Sequence, residues 1–219
     1  MGRIAERWAI VVPVKRLDGA KTRLRLDRDV RIELALAIAA DTVRAAIACL
    51  STEVVIAVTD DARAASVLRD LGAIVVPDRP DAGLNPALVH GATVPAVPMG
   101  AGVAALAADL PALRPGELAD VLAATAQHGV VVVADAAGGG TTLLAATSVE
   151  RFRPAFGEGS RARHVAAGAF DLSDSAGNSL RCDVDTLADL SVASSLGLGP
   201  ASARVVQDRH LLDEVPQAD

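Results

Sequence analysis

Seven consecutive apolar residues, WAIVVPV from Trp8 to Val14, constrain this chain more than any other feature. A run so short and uniform suits a strand covered on both faces, as in parallel sheets. A strand with one wet face would show a polar residue at every second position. Apolar or β-rich runs return at Glu53–Thr59, Ala73–Val76, Gly102–Ala108 and Val130–Ala134. Another follows the turn Gly138–Gly140 at Thr141–Thr147, and Ser179–Val184 is the last predicted strand. Helical spacing fills the intervals at Arg31–Leu50, Ala62–Leu71, Ala87–Val94, Pro115–His128, Arg161–Ala167 and Leu187–Leu196. Alternating strands and helices predict a single α/β domain, with a mostly parallel sheet and helices on both faces. The domain is expected to span 1–219, with its core at 8–205 and a loose C-terminal tail at 206–219.

Charge and aromatic content narrow the function. The net charge is −6, with three Phe, one Trp and no Tyr. Such a chain lacks both the positive field that draws nucleic acid and the ring platform that stacks single strands. The two cysteines, Cys49 and Cys182, form no C-x-x-C and fit reduced thiols. The longest apolar runs are broken by Lys15, Pro98 or Asp109, so no membrane span is expected. The expected setting is cytoplasmic.

In open α/β sheets, ligands bind beyond the carboxyl ends of the strands. Lys15 and Arg16 follow the first predicted strand, Asp60 and Asp61 the second, Asp109 the fourth, Asp135 the fifth, and Asp183 and Asp185 the last. The chain has only two lysines among its 21 basic residues, and both lie in the loop KRLDGAKTRL. Arginine serves everywhere else, so a compact ammonium is kept where a phosphate chain would need one. The loop is not a P-loop, because G-x-x-x-x-G-K-[ST] is absent. Asp109 with the pair Asp183 and Asp185 would repel one another unless a hard cation such as Mg²⁺ lay between them. Alternatively, Asp183 or Asp185 caps the helix from Leu187.

A third feature is FGEGSRARH, Phe156 to His164. Ser160 is read as an N-cap, followed by Arg161, Arg163 and His164 in the first helical turn. Cations there oppose the helix dipole unless an anion is bound. Thr141, after the glycine turn, offers a hydroxyl to a ligand. Asn85 in GLNPAL reads either as a donor–acceptor pair for a base edge or as a helix cap.

Taken together, VPVKRLDGAKTRL, GLNPAL, ADLPAL, GGGTTLL, FGEGSRARH and RCDVDTLADL resemble, in this order, the phosphoenolpyruvate / 2-phospho-L-lactate guanylyltransferase family of coenzyme F-420 biosynthesis. The resemblance runs from about Trp8 to Val205. It implies a nucleotide-diphosphosugar-transferase-like fold and Mg²⁺ on Asp109, Asp183 and Asp185. It places phosphoenolpyruvate against Thr141, Gly157 and Ser160, the GTP phosphates against Lys15, Lys21 and Arg23, and guanine near Leu84 and Asn85. Lys21 and Asp109 become the expected catalytic pair. The implied partners are GTP and a small phosphorylated carboxylic acid, and the implied products are enolpyruvoyl-2-diphospho-5′-guanosine and pyrophosphate. Transfer to 2-phospho-L-lactate or 3-phosphoglycerate, and a non-catalytic nucleotide-binding regulator, are the alternatives.

Overall fold

The computed structural model describes residues 7–213. Seven strands form one sheet: β1 (Trp8–Pro13), β2 (Thr52–Val58), β3 (Ile74–Val76), β4 (Gly102–Leu106), β5 (Val130–Val133), β6 (Leu143–Ala146) and β7 (Phe170–Asp171). Their order is β3-β2-β1-β4-β6-β5-β7, and all neighbours run parallel except that β6 is antiparallel to both β4 and β5. The expected mostly parallel single-domain α/β architecture is therefore present. The carboxyl ends of β1, β2, β4 and β5 share one rim, and the residue leading into β6 starts there.

Side chains of the central strands alternate between two cores. Ile10, Val12, Val55 and Leu106 pack with α1 (Arg28–Ala48), α2 (Ala62–Asp70) and α4 (Pro115–His128). Val11, Ile56, Val58 and Ala105 face α3 (Leu84–Thr93) on the other side. The helix α3 lies so close that a Cβ at Gly91 would come within 2.6 Å of Val11 and 2.8 Å of Val58. Beyond α1 lie α7 (Leu187–Leu196) and α8 (Pro200–Asp208), which share a third core around Leu34, Ile38 and Leu190. Two short helices, α5 (Ser160–Ala166) and α6 (Asn178–Arg181), complete the chain. No helix among the described residues is long and apolar enough to cross a membrane.

Several expectations are corrected. The predicted strand Ser179–Val184 is the helix α6 followed by an extended segment. The Glu117 carboxylate makes this helix, accepting from Ser179 N–H at 2.9 Å, Ser179 Oγ at 2.6 Å and Leu180 N–H at 3.3 Å. Helix α8 has no counterpart in the sequence reading and runs to Asp208, past the point where a loose tail was expected. Its amino end is held by Asp41, whose carboxylate accepts from Ala201 N–H at 3.1 Å and Ser202 N–H at 2.7 Å. Arg209 then pairs with Glu33 at 2.8 Å. Residues 214–219 of the expected tail lie outside the described residues.

Candidate active site

The rim of the sheet encloses a cleft of about 730 Å³. Lys15, Lys21, Arg23, Leu84, Asp109, Asp135, Thr141, Gly157, Ser160, Asp183 and Asp185 all line it. The predicted site residues are thus brought together, except that Asn85 faces elsewhere.

Backbone clamps build the basic wall. The Leu17 N–H donates to Asp61 at 2.9 Å, tying the lysine loop to the start of α2. Arg31 is buried and donates to the carbonyls of Leu17, Ala20 and Asp18, the last at 2.9 Å. Lys21 takes a left-handed backbone, with φ 56°. Its ammonium lies 2.6 Å from Asp109 Oδ2 and 2.9 Å from Asp185 Oδ1, and Arg23 meets the other oxygen of Asp185 at 3.1 Å. Burial pulls the Lys21 pKa down, but the two carboxylates outweigh it and hold the ammonium above its ordinary value. Lys15 is exposed at the mouth.

The acidic wall is assembled from segments far apart in sequence. Thr42 of α1 receives the Leu110 N–H at 3.0 Å, and Val184 N–H donates to the Asp109 carbonyl at 3.0 Å. The extended segment after α6 therefore runs beside the end of β4, as a strand there would have done. Thr186, not Asp183 or Asp185, caps α7: its hydroxyl accepts from Asp189 N–H, and the Asp189 carboxylate accepts from Thr186 N–H at 2.8 Å and Asp185 N–H at 3.1 Å. Both carboxylates are released for the cleft. Burial, then the charges of Asp109 and Asp135, push Asp183 up to about 7. Among the described residues, no three His, Cys, Asp or Glu groups converge to hold an ion as their side chains are placed. The Lys21 ammonium stands between two of the three, balancing charge in the place expected for a metal.

The third wall departs further from the sequence reading. Gly159, with φ 67°, is the N-cap of α5, and Ser160 is its first residue. Arg161 pairs with Asp171 at 2.7 Å, while Arg163 donates to the carbonyls of Ala155 and Glu158. His164 is buried and neutral, its pKa pulled to about 4 by burial and by Arg163. The positive first turn is therefore a structural brace. Asn85 donates to Phe156 C=O at 3.1 Å and accepts from Phe156 N–H at 2.7 Å, so its amide grips the loop before Gly157. Asp135 shapes the glycine turn by accepting from Gly139 N–H at 3.0 Å and Gly140 N–H at 2.8 Å. A Cβ at Gly140 would stand 2.2 Å from that carboxylate, so any other residue would push Asp135 out of its place on the turn.

Arg31, the Asp61 clamp on Leu17 and the bracing roles of Asn85 and His164 escape sequence reading, because each acts on a group distant in the chain. Asp189 is different: Thr186-x-x-Asp189 has the spacing of a capping box, a signal the sequence does carry.

A doubly covered sheet with a basic loop after β1 and carboxylates gathered at its rim fits a nucleotidyltransferase. The comparisons with known proteins are more specific. Residues 8–194 match the family model described as "Guanylyl transferase CofC like". A phosphoenolpyruvate guanylyltransferase of Thermomonospora curvata is 55% identical over 198 residues, covering 90% of this chain and 87% of the relative. One from Streptomyces coelicolor is 54% identical over 202 residues, covering 91% and 95%. A provisional nucleotide-diphospho-sugar transferase from Desulfovibrio desulfuricans has the same fold, with a TM-score of 0.69 at 19% identity, covering 98% of this chain and 100% of its own. The chain belongs to the CofC-like guanylyl transferase family.

Proposed function

We propose that this protein transfers GMP from GTP to the phosphate of phosphoenolpyruvate, releasing pyrophosphate. One observation carries the reading: relatives more than half identical over nine-tenths of the chain bear that name. The cleft supports it, having a basic loop at one end, paired hydroxyls at the other and carboxylates between.

In this reading Lys15, Lys21 and Arg23 take the triphosphate and Leu84 backs the guanine. Thr141, Gly157 and Ser160 take the acceptor. Asp109, Asp183 and Asp185 would supply the hard oxygens for Mg²⁺, which would have to share or take the place that Lys21 holds between two of them. The cation already seated between Asp109 and Asp185 supports a site that demands positive charge there. When bound, the metal would supply charge neutralisation at the transferring phosphorus.

The chain's own residues have a limited task. A phosphate monoester, with a second pKa of about 6, is already mostly dianionic at pH 7, so no side chain need remove a proton. Nor is a covalent intermediate required. The protein brings two anions together, aligns attack on the α-phosphorus and offsets the growing charge, with Lys21 and Asp109 nearest that task. Cys182 is no nucleophile: burial, then Asp183 and Asp189, push its thiol up to about 11. The test is pyrophosphate release by the purified protein with GTP and Mg²⁺. Release that requires phosphoenolpyruvate is expected. Tight GTP binding with no release in the presence of any phosphorylated acid would instead indicate a nucleotide-binding regulator.

A further inference from the structure

His164 is 1% exposed, and both of its ring nitrogens have partners. Nε2 lies 2.9 Å from the backbone N–H of Ala155, a group that can only donate. Nε2 therefore carries no proton, and the neutral ring keeps its single proton on Nδ1. A protonated ring would set donor against donor and strand the Ala155 N–H. Burial and the Arg163 guanidinium disfavour that cation further. The Nδ1 proton faces Thr141 Oγ1 at 3.1 Å, and Thr141 Oγ1 lies 2.9 Å from Ser160 Oγ.

Counting protons decides what this pair of hydroxyls can do. They own two protons, and the bond between them uses one. Because His164 donates, it takes neither, and one hydroxyl proton is left for an incoming anion. In the other tautomer Thr141 would donate to Nδ1 and Ser160 to Thr141. Nothing would remain for the ligand.

We propose that His164 is a positioning residue for the acceptor. Its Nδ1–H sets the polarity of the Thr141–Ser160 pair, so that one hydroxyl proton serves the acceptor's phosphate or carboxylate. The proposal rests on the reading that Thr141 and Ser160 bind the acceptor. The same ring braces the loop that carries Gly157, through Ala155 and through an edge contact with Phe156 at a centroid distance of 5.3 Å.

Two experiments on the full chain test it. In ¹⁵N NMR at pH 7, with labelled histidine and His164→Asn to assign its signals, the ring is expected as the neutral Nδ1–H tautomer. An Nε2–H tautomer or an imidazolium would overturn the proposal, and the tautomer itself is read on the wild-type protein. In kinetics, His164→Gln moves the amide out to the Nε2 position and loses the donor to Thr141. It should raise the acceptor KM about tenfold to hundredfold, the worth of one hydrogen bond to a charged group, while the GTP KM stays within about twofold. His164→Asn, which keeps an amide N–H at the Nδ1 position, should recover most of that loss. Equal losses in the two variants, or a matching rise in the GTP KM, would contradict the proposal. Ser160→Ala, measured beside them, separates the two levels. If it raises the acceptor KM while His164→Gln does not, only the role of His164 falls. If Ser160→Ala leaves the acceptor KM unchanged, the acceptor site itself is misplaced and both readings fall.

Discussion

Lys21 and Asp109, 88 residues apart in the chain, are joined by a 2.6 Å ion pair across the cleft. With Asp185 on its other side, the ammonium links the lysine loop directly to the carboxylate set. In the proposed reading, nucleotide and metal would therefore compete for, or share, one side chain.

Removing that side chain should be felt in two ways. Lys21→Ala leaves Asp109 and Asp185 without their shared cation and should cost about 1–3 kcal/mol of stability. This is less than a fully buried pair would lose, because water reaches both carboxylates. It should also weaken GTP use strongly. Lys21→Arg should restore stability better than kinetics, since a planar guanidinium cannot reproduce a point charge at this distance. Unchanged kinetics in the arginine variant would show that lysine is not specifically needed.

The carboxylates give a sharper result. Asp185→Ala and Asp183→Ala should each lower turnover by several orders of magnitude with the fold intact, because α7 is capped by Thr186 and Asp189 and needs neither. Circular dichroism with pyrophosphate release checks this. Folded variants working near the wild-type rate would remove the metal from these residues.

Asn85 tests how the base is recognised. Its amide is occupied on both sides by Phe156. Asn85→Ala should therefore loosen the Gly157 loop and raise the acceptor KM while the preference for GTP over ATP stays the same. A lost preference for GTP would put Asn85 against guanine after all.

His164 predicts a pH dependence. Its folded pKa, about 4, lies below the unfolded value near 6.5, so the unfolded chain takes up the proton first. The stability that depends on the neutral ring is full above about pH 6.5 and is lost as pH falls towards 4. The shift corresponds to roughly 3 kcal/mol. Urea unfolding of the wild type and of His164→Asn should show a gap in stability that narrows across that window. Asp183 titrates in both proteins and cancels. A gap independent of pH would mean that the ring is not buried neutral.

Much of this was legible in the sequence, for a physical reason in each case. Strands β1 and β4, covered on both faces, leave a continuous apolar run that identifies them and orders the rim. The two lysines stood out because arginine had replaced lysine everywhere else. Helix α6 was misread because Ser179–Val184 has strand-like composition, and the group that makes it helical is Glu117, 62 residues away. Helix α8 escapes for a similar reason: Pro200 sits where a helix can begin, but the carboxylate that holds its first turn is Asp41, 160 residues before Ala201. Arg161, Arg163 and His164 share a motif with Ser160, yet only the fold shows that partners within the chain occupy all three.

The central claim is that phosphoenolpyruvate accepts the guanylyl group. The most direct measurement is kcat/KM for pyrophosphate release with GTP, Mg²⁺ and, in parallel, phosphoenolpyruvate, 2-phospho-L-lactate and 3-phosphoglycerate, with each product identified by mass. Phosphoenolpyruvate should give the highest value and a product carrying GMP joined to its phosphate. A higher value for either other acid, or no GMP adduct with phosphoenolpyruvate, would contradict it.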